Sequence, residues 1–254
     1  IDGTISAGGG MEYPMITIIG DMGSAESLDN VIAHEVGHNW FYGILGSNER
    51  DHPWMDEGLN RFVELLYMGK RYPSSGFNLG VSGLPGLNTN TTDGHRLQSE
   101  LMYRFNARRG LDQPTSLTST DFTSTNYGCM VYAKSALVFD HLLAYLGDDV
   151  MKRCMNAYFD EWRFKHPQPG DVRQVFERES GKDLGWVFDE LIKRDRKLDM
   201  RIRKLTGDSI RCTTNSIAPF PITAYSDKGD SLGTTWASPP APQWRTGSLN
   251  SYDK

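Results

Sequence analysis

The sequence contains few cysteines and no long hydrophobic run. Its three cysteines, Cys129, Cys154 and Cys212, are widely spaced and form no C-x-x-C pair. A scattered, odd-numbered set of this kind predicts buried free thiols rather than a disulfide framework, and it does not indicate the redox compartment. No apolar run approaches the ~20 residues that a helix needs to cross a bilayer, so we expect no membrane span in this segment.

Charge of one sign is also scarce, because the net charge is only −5 and the basic residues form no stripe. We therefore expect no nucleic-acid partner. The chain begins at Ile1 without an initiator methionine or a signal-peptide pattern. We interpret it as a segment of a longer protein with flanking domains, and the sequence leaves the compartment open.

The composition is that of a folded chain. With 254 residues, 38% of them hydrophobic and 11% aromatic, the chain suits one large domain or one domain plus a small appendage. Residues 1–20 are predicted to be extended, residues 27–194 show the helical period, and alternation of polar and apolar residues begins after Asp195. We therefore predict one domain at residues 1–195. Residues 196–254 are predicted to be the beginning of a β-type module with an irregular tail.

Helical periodicity, together with the Gly and Pro residues that interrupt it, predicts seven helices. They cover residues 28–44, 56–68, 96–108, 129–146, 150–164, 171–178 and 184–192. The segment 72–93 is rich in Gly, Ser, Asn, Thr and Pro, and it is predicted to be a long surface loop.

The segment IAHEVGHNWF, residues 32–41, carries two histidines four positions apart. Positions i and i+4 lie on the same face of a helix, so His34 and His38 can direct two imidazoles to one point. Two imidazoles are half of the tetrahedral set that zinc prefers, and a catalytic site adds one more protein ligand and a water. Glu35 is offset by roughly 100° around the helix, where a general base for the attacking water belongs. The alternative is a histidine pair on a helix surface without a metal.

A third ligand is predicted in WMDEGLN, residues 54–60, where eighteen residues separate His38 from Glu57. We expect Glu57 at the start of a second amphipathic helix that packs beside the first, with Gly58 allowing a close approach. The alternative is that Glu57 only caps a helix N-terminus. Glu64 lies seven residues further on the same helical face and is predicted to orient a histidine ligand. A solvent-exposed Glu64 is the alternative.

The spacing of His34, Glu35, His38 and Glu57 resembles the signature of the gluzincin metallopeptidases. Within that group, the segment GGGMEYP at residues 8–14 is similar to the Gly-x-Met-Glu-Asn motif of the M1 aminopeptidases.

The M1 resemblance implies a role for each residue that matches this motif. It implies that Glu12 binds the free α-amine of the substrate and that Gly9 and Gly10 line the bound peptide through their backbone. Tyr13 departs from the pattern, because the family usually has Asn at this position.

A second segment, NYGCMVYAKSALVF at residues 126–139, resembles the Tyr-x-Lys-Gly segment of the same family. The resemblance implies that Tyr132 donates a hydrogen bond to the oxyanion of the tetrahedral intermediate, with Ser135 replacing the usual Gly. Tyr127 matches a second tyrosine of the family's cleft. For either tyrosine the alternative is a buried core residue whose hydroxyl binds the backbone.

The resemblance therefore predicts an α+β fold: a mainly helical, thermolysin-like zincin catalytic domain with a short edge β-sheet, followed by the start of a β module. It implies one Zn²⁺ per chain, held by His34, His38 and Glu57. The implied reaction is hydrolysis of the N-terminal peptide bond of peptides with a free N-terminus. Two alternatives stay open, namely a zinc endopeptidase and a peptide-binding module that holds zinc without cutting.

Overall fold

Helices dominate the part of the chain that the computed structural model describes, which is residues 9–73, 94–195, 198–206, 209–226, 228–239 and 244–245. The α-helices are α1 Ala25–Gly37, α2 Leu59–Arg71, α3 Gly94–Arg108, α4 Ser124–Asn126, α5 Ser135–Leu146, α6 Asp148–Trp162 and α7 Pro169–Ser180. Wider π-helical turns are formed by Trp54–Gly58, Tyr127–Lys134 and Trp186–Ile192, and Ser119–Asp121 is a 3-10 turn.

The strands form small antiparallel sheets at the two ends of the described chain. The first sheet pairs β1 Gly10–Met11 with β2 Ile18–Ile19. The second has the order β3-β4-β7, and the third pairs β5 with β6. These strands are β3 Met200–Thr206, β4 Ser209–Thr214, β5 Phe220–Tyr225, β6 Ser231–Ala237 and β7 Trp244–Arg245.

Helix α1 is shorter than the sequence predicted at its C-terminal end. Ser24 caps its N-terminus, with the hydroxyl accepting a hydrogen bond from Ser27 N at 3.1 Å. The prediction that helix 28–44 continues to residue 44 is wrong, because the helix ends at Gly37. The chain turns back after His38 so that Phe41 and Leu45 become buried, and burial of these two side chains outweighs continued helix formation.

Helices α1 and α2 approach each other closely at Gly37. Asn60 of α2 donates from Nδ2 to the His34 carbonyl oxygen at 2.8 Å. A Cβ atom at position 37 would overlap the Asn60 side-chain amide. Glycine at this position therefore allows the contact that brings the two helices together.

An aromatic core lies behind these helices. Phe139 of α5 contacts Trp54, Phe62 and Phe176, with ring centroids 6.0, 6.1 and 6.4 Å apart. These four side chains are almost fully buried, so they join the π-helical turn Trp54–Gly58, α2, α5 and α7 into one packed body.

The helical stretch Ser124–Leu146 qualifies as a membrane span by length and composition, which corrects the expectation that no such stretch exists. Of its most apolar window, 61% is buried inside the protein. Core helices of this kind pass the same test, and α5 supplies Phe139 and Leu142 to the core. The stretch is therefore weak evidence for a membrane span.

The predicted irregular tail is wrong at one point, because Trp244 and Arg245 form β7 and pair with Ile210 and Ser209 of β4. Pairing with a neighbouring strand gives these residues a β conformation without any periodicity in the sequence. The predicted loop 72–93 lies mostly outside the described residues, which resume at residue 94. The last described helical turn ends at Ile192 and the next strand, β3, begins at Met200. The domain boundary at residue 195 stays a prediction.

Candidate active site

His34, His38 and Glu57 meet at one point, although they come from α1, the residue that follows it and a π-helical turn. The two Nε2 atoms lie 3.2 Å from each other, and each lies 3.2 Å from Glu57 Oε2. Ligands of a tetrahedral zinc with bonds of about 2.0–2.1 Å are about 3.3–3.4 Å apart. Glu57 Oε2 is buried, and apart from these two nitrogens it has no polar partner among the described residues. These residues therefore fit a zinc ion.

The π-helical turn Trp54–Gly58 gives Glu57 its orientation. Trp54, Met55 and Asp56 are buried, so the turn is held in place from inside the protein. Gly58 packs against the side chain of Ser135 so tightly that a Cβ atom would not fit. The predicted second helix proper begins only at Leu59.

Glu64 contacts His34 on the other side of the imidazole ring. Its Oε2 lies 2.9 Å from His34 Nδ1, and its Oε1 accepts hydrogen bonds from Asn30 and Arg61. Glu64 is 3% exposed, which rules out the solvent-exposed alternative. The contact leaves Nε2 of His34 to face Glu57.

Asp56 makes the matching contact to His38, and the sequence interpretation missed it. Asp56 Oδ1 lies 2.7 Å from His38 Nδ1, and the side chain is 2% exposed. The Phe41 carbonyl oxygen lies 3.2 Å from the same nitrogen. The one available signal was an acidic residue directly before Glu57, which is a weak indication without the structure.

The cluster is rich in negative charge. Burial lowers the pKa of His34, but hydrogen bonds to Glu57 and Glu64 outweigh this effect and raise it to about 9. Burial likewise opposes the shift at His38, where Asp56 and Glu57 raise the pKa to about 11. Burial raises the pKa of Glu57, yet the two histidines lower it to about 2. A surplus of buried carboxylates over imidazoles is an arrangement that attracts a cation.

Glu35 lies beside the three candidate ligands and does not belong to them. Burial raises the pKa of its carboxyl group to about 7, the range in which a general base works well. Its Oε2 is buried without a hydrogen-bond partner among the described residues. The carboxylate is therefore available to a substrate or to a water.

The edge hairpin passes close to Glu35. A Cβ atom at Gly10 would overlap the Glu35 carboxylate, and Gly9 has a φ of +93°. Both glycines line a cavity of about 350 Å³ together with His34, Glu35 and Tyr132. The structure thus brings the predicted backbone positions to the predicted base.

Glu12 lies on a second cavity of about 680 Å³, which also borders Glu35 and His38. Its carboxylate lies within 4.8 Å of the donor atoms of His38 and Asp56, which makes these residues a second candidate ligand set. The two sets share His38, and the set with Glu57 is the more compact. Glu35 borders both the cavity of Glu12 and the cavity of Gly9 and Gly10.

Tyr132 projects from the π-helical turn Tyr127–Lys134 to the ligand cluster. Its hydroxyl donates a hydrogen bond to Glu57 Oε1, which leaves Oε2 to the histidines. Burial raises the pKa of Tyr132, so the hydroxyl keeps its proton and remains a donor. Tyr127 contacts Tyr132 at 5.9 Å and Phe122 at 6.0 Å between ring centroids. Burial raises its pKa to about 12.

A comparison with protein-family profiles identifies the family of this chain. The profile described as "Peptidase family M1 domain" matches residues 13–191, which include the histidines, Glu35, Glu57 and both tyrosines. The chain belongs to peptidase family M1.

Individual M1 relatives are distant in sequence. The chain is 27% identical over 177 residues to aminopeptidase N of Lactococcus lactis subsp. lactis, and the match covers 67% of this chain and 19% of that protein. It is 26% identical over 162 residues to leucine aminopeptidase 2-1 of Meyerozyma guilliermondii, covering 62% of this chain and 25% of that protein. The chain therefore spans about a fifth to a quarter of the length of these relatives.

Solved structures with the same fold include aminopeptidase A of Legionella pneumophila in complex with aspartic acid. The TM-score is 0.60 at 17% identity, over 87% of this chain and 24% of that one. An M1 zinc metallopeptidase of Deinococcus radiodurans gives a TM-score of 0.53 at 15% identity, over 74% of this chain and 37% of that one. These similarities establish the mainly helical M1 fold with small antiparallel sheets, as predicted.

Proposed function

We propose that this chain is the catalytic segment of a zinc-dependent aminopeptidase that hydrolyses the N-terminal peptide bond of peptides. The observation that carries the proposal is the 3.2 Å triangle of His34 Nε2, His38 Nε2 and Glu57 Oε2, with Glu35 beside it. The names of the relatives, which are aminopeptidases and M1 zinc metallopeptidases, support it. We assign the catalytic domain to residues 1–195.

His34, His38 and Glu57 would hold one Zn²⁺. Bound zinc supplies Lewis acidity toward the scissile carbonyl and toward the attacking water. Glu64 and Asp56 fix the two imidazole rings through their Nδ1 atoms, so that both Nε2 atoms face Glu57.

Glu35 is the general base in the proposed reaction. Its unpartnered, buried carboxylate accepts a proton from the attacking water and then gives it to the nitrogen of the leaving peptide. The pKa of about 7 suits both transfers, because the group must accept and release the proton in one cycle. Tyr132 donates a hydrogen bond from its hydroxyl to the oxyanion that forms at the scissile carbonyl.

Glu12 gives the reaction its preference for the N-terminus of the substrate peptide. Its carboxylate borders the cavity next to Glu35 and His38, where it pairs with the α-ammonium group of the first residue. Gly9 and Gly10 border the other cavity and leave room for the backbone of the peptide beyond the scissile bond. A substrate bound in this way loses one residue from its N-terminus.

The test compares two versions of one peptide, with a free and with an acetylated N-terminus, on the full-length protein. We expect cleavage of the free peptide after its first residue, with loss of activity on chelation and recovery with Zn²⁺. Equal cleavage of both versions would contradict the aminopeptidase assignment and favour a zinc endopeptidase. Absence of cleavage in a protein that binds zinc would favour a peptide-binding module.

A further inference from the structure

Tyr42 combines a strained backbone with a position at the proposed active site. Its φ is +95°, a value that residues other than glycine rarely adopt. Such a conformation is unfavourable for a bulky side chain, and it persists where the surrounding contacts leave no alternative. Strain of this kind is concentrated at functional sites, so the surroundings of Tyr42 are informative.

The contacts around Tyr42 impose its conformation. The buried side chains of Phe41 and Leu45 anchor the loop on both sides. Tyr42 N donates to the Leu45 carbonyl at 3.1 Å, Leu45 N donates to the Trp40 carbonyl at 2.8 Å, and Gly43 N donates to the His38 carbonyl at 2.9 Å. The loop is therefore tied directly to His38, one of the candidate zinc ligands.

The Tyr42 side chain lines the cavity of Glu12, together with Tyr13, Met15 and Ile44. Burial and the nearby charges of Glu49, Glu12 and Asp56 raise the pKa of its phenol, which therefore stays neutral. At about 680 Å³ the cavity is large enough for a bulky side chain.

The proposed role of Glu12 determines which part of a substrate enters this cavity. If Glu12 binds the α-ammonium group of the substrate's first residue, the side chain of that substrate residue also lies close to Glu12. The reason is that the ammonium nitrogen and the side chain are bonded to the same Cα atom. Pro14, Tyr42 and Ile44 supply apolar surface in a lining that also contains Thr17, His38 and Asn39. An apolar side chain can pack against that surface. The carboxylates of Glu12 and Glu35 oppose an acidic one, because like charges repel each other in a partly buried site.

We propose that Tyr42 is a specificity-determining residue, which forms part of the wall of the Glu12 cavity and selects peptides whose first side chain is large and apolar. This inference rests on the proposed aminopeptidase function and adds the substrate class to it. The loop contacts that impose the positive φ also hold Tyr42 at this cavity.

The test measures kcat/KM of the full-length protein for peptides that differ only in the first residue, namely Leu, Phe, Gly and Asp. We expect the parent to prefer Leu and Phe over Gly by tenfold or more, which is the scale of discrimination by an apolar pocket. Tyr42→Gly should reduce that ratio about tenfold, whereas Tyr42→Phe should retain most of it because the ring remains.

Phe164→Gly is the matched control for relief of backbone strain. Phe164 has a φ of +60° and is 80% exposed, and its NH group donates to the Ile44 carbonyl at 2.7 Å. It does not line the Glu12 cavity, so this variant should keep the parent's ratio. The same variants can be compared without turnover by adding Glu35→Gln to each of them. Calorimetry then measures how strongly each variant binds the peptides with different first residues.

The outcomes separate the two proposals. A parent that cleaves none of the peptides overturns the aminopeptidase function and this inference with it. A parent that cleaves them without preferring a large apolar first residue overturns only the inference. The inference also fails if Tyr42→Gly keeps the parent's ratio, or if Phe164→Gly changes it by as much.

Discussion

At the scale of single residues, the site depends on which atom of each carboxylate faces which nitrogen. Each histidine has a carboxylate at Nδ1, Glu64 for His34 and Asp56 for His38. A proton held at Nδ1 leaves the lone pair at Nε2 free, which is the form of imidazole that binds a metal.

The proposed base can be tested at Glu35. Glu35→Gln keeps the size of the side chain but cannot accept a proton, so kcat should fall by about 10²–10⁴-fold. Zinc content, measured by metal analysis, should stay at the parent's level, because Glu35 is not one of the three candidate ligands. A variant that cuts at nearly the parent's rate would show that another group is the base.

Asp56 should contribute to metal affinity through His38. Asp56→Ala should weaken zinc binding about 10–100-fold, as measured by competition with a chelator. Asp56→Asn should lose less zinc affinity than Asp56→Ala, since the amide oxygen still accepts a hydrogen bond from His38 Nδ1. The control is Asp160→Ala, at an exposed position on α6. If Asp56→Ala and the control bind zinc equally well, Asp56 does not position His38.

At the scale of elements, the site depends on how closely α1 and α2 pack. Gly37 and Asn60 set this distance, and His34 and Glu57 lie on the two sides of the contact. The π-helical turns matter equally, because they rotate Glu57 and Tyr132 toward the histidines. A regular α-helix would place these side chains on a different face.

Gly37→Ala tests this packing. The added methyl group would overlap Asn60, so the free energy of unfolding should fall by about 1–3 kcal/mol. Gly170→Ala on α7 is the control, because a Cβ atom there meets nothing within 4 Å. That variant should be neutral or stabilised by up to about 1 kcal/mol. Thermal unfolding of both variants gives the comparison, and equal midpoints would contradict the close contact.

At the scale of the whole molecule, the three candidate zinc ligands connect the first part of the chain to the helical core. His34 and His38 lie at the end of α1, while Glu57 is held by a turn whose Trp54 packs on Phe139. A metal at this point would bind the folded state and not the unfolded chain, so it should stabilise the protein.

Zinc removal should therefore lower the stability of the whole fold. At a free zinc concentration 100 times Kd, binding adds about 2.7 kcal/mol to the free energy of unfolding. Scanning calorimetry with and without a chelator should show a lower melting temperature for the metal-free protein. His38→Ala should melt at the same temperature in both conditions. A parent whose melting temperature does not respond to the chelator would contradict a zinc site that links these elements.

The sequence alone was sufficient to predict the helical part, the family and the residues His34, Glu35, His38 and Glu57. The histidine pair could be predicted because positions i and i+4 share a helix face in any protein. The family could be predicted because the spacing from these histidines to Glu57 resembles a known signature. The family profile and the fold comparison confirm the family and the mainly helical architecture. The metal-binding and catalytic roles of these residues stay predictions.

The tertiary structure alone decided the end of α1, the pairing of β7, the contact of Asp56 with His38 and the positive φ of Tyr42. Each depends on contacts between residues that are distant in sequence or on a loop closed by buried anchors. Phe41 and Leu45 end the helix by entering the core, and Ser209 and Ile210 give Trp244 and Arg245 a strand to pair with. Local periodicity carries no information about such contacts, because their free energy comes from burial and hydrogen bonds that exist only once the chain has folded.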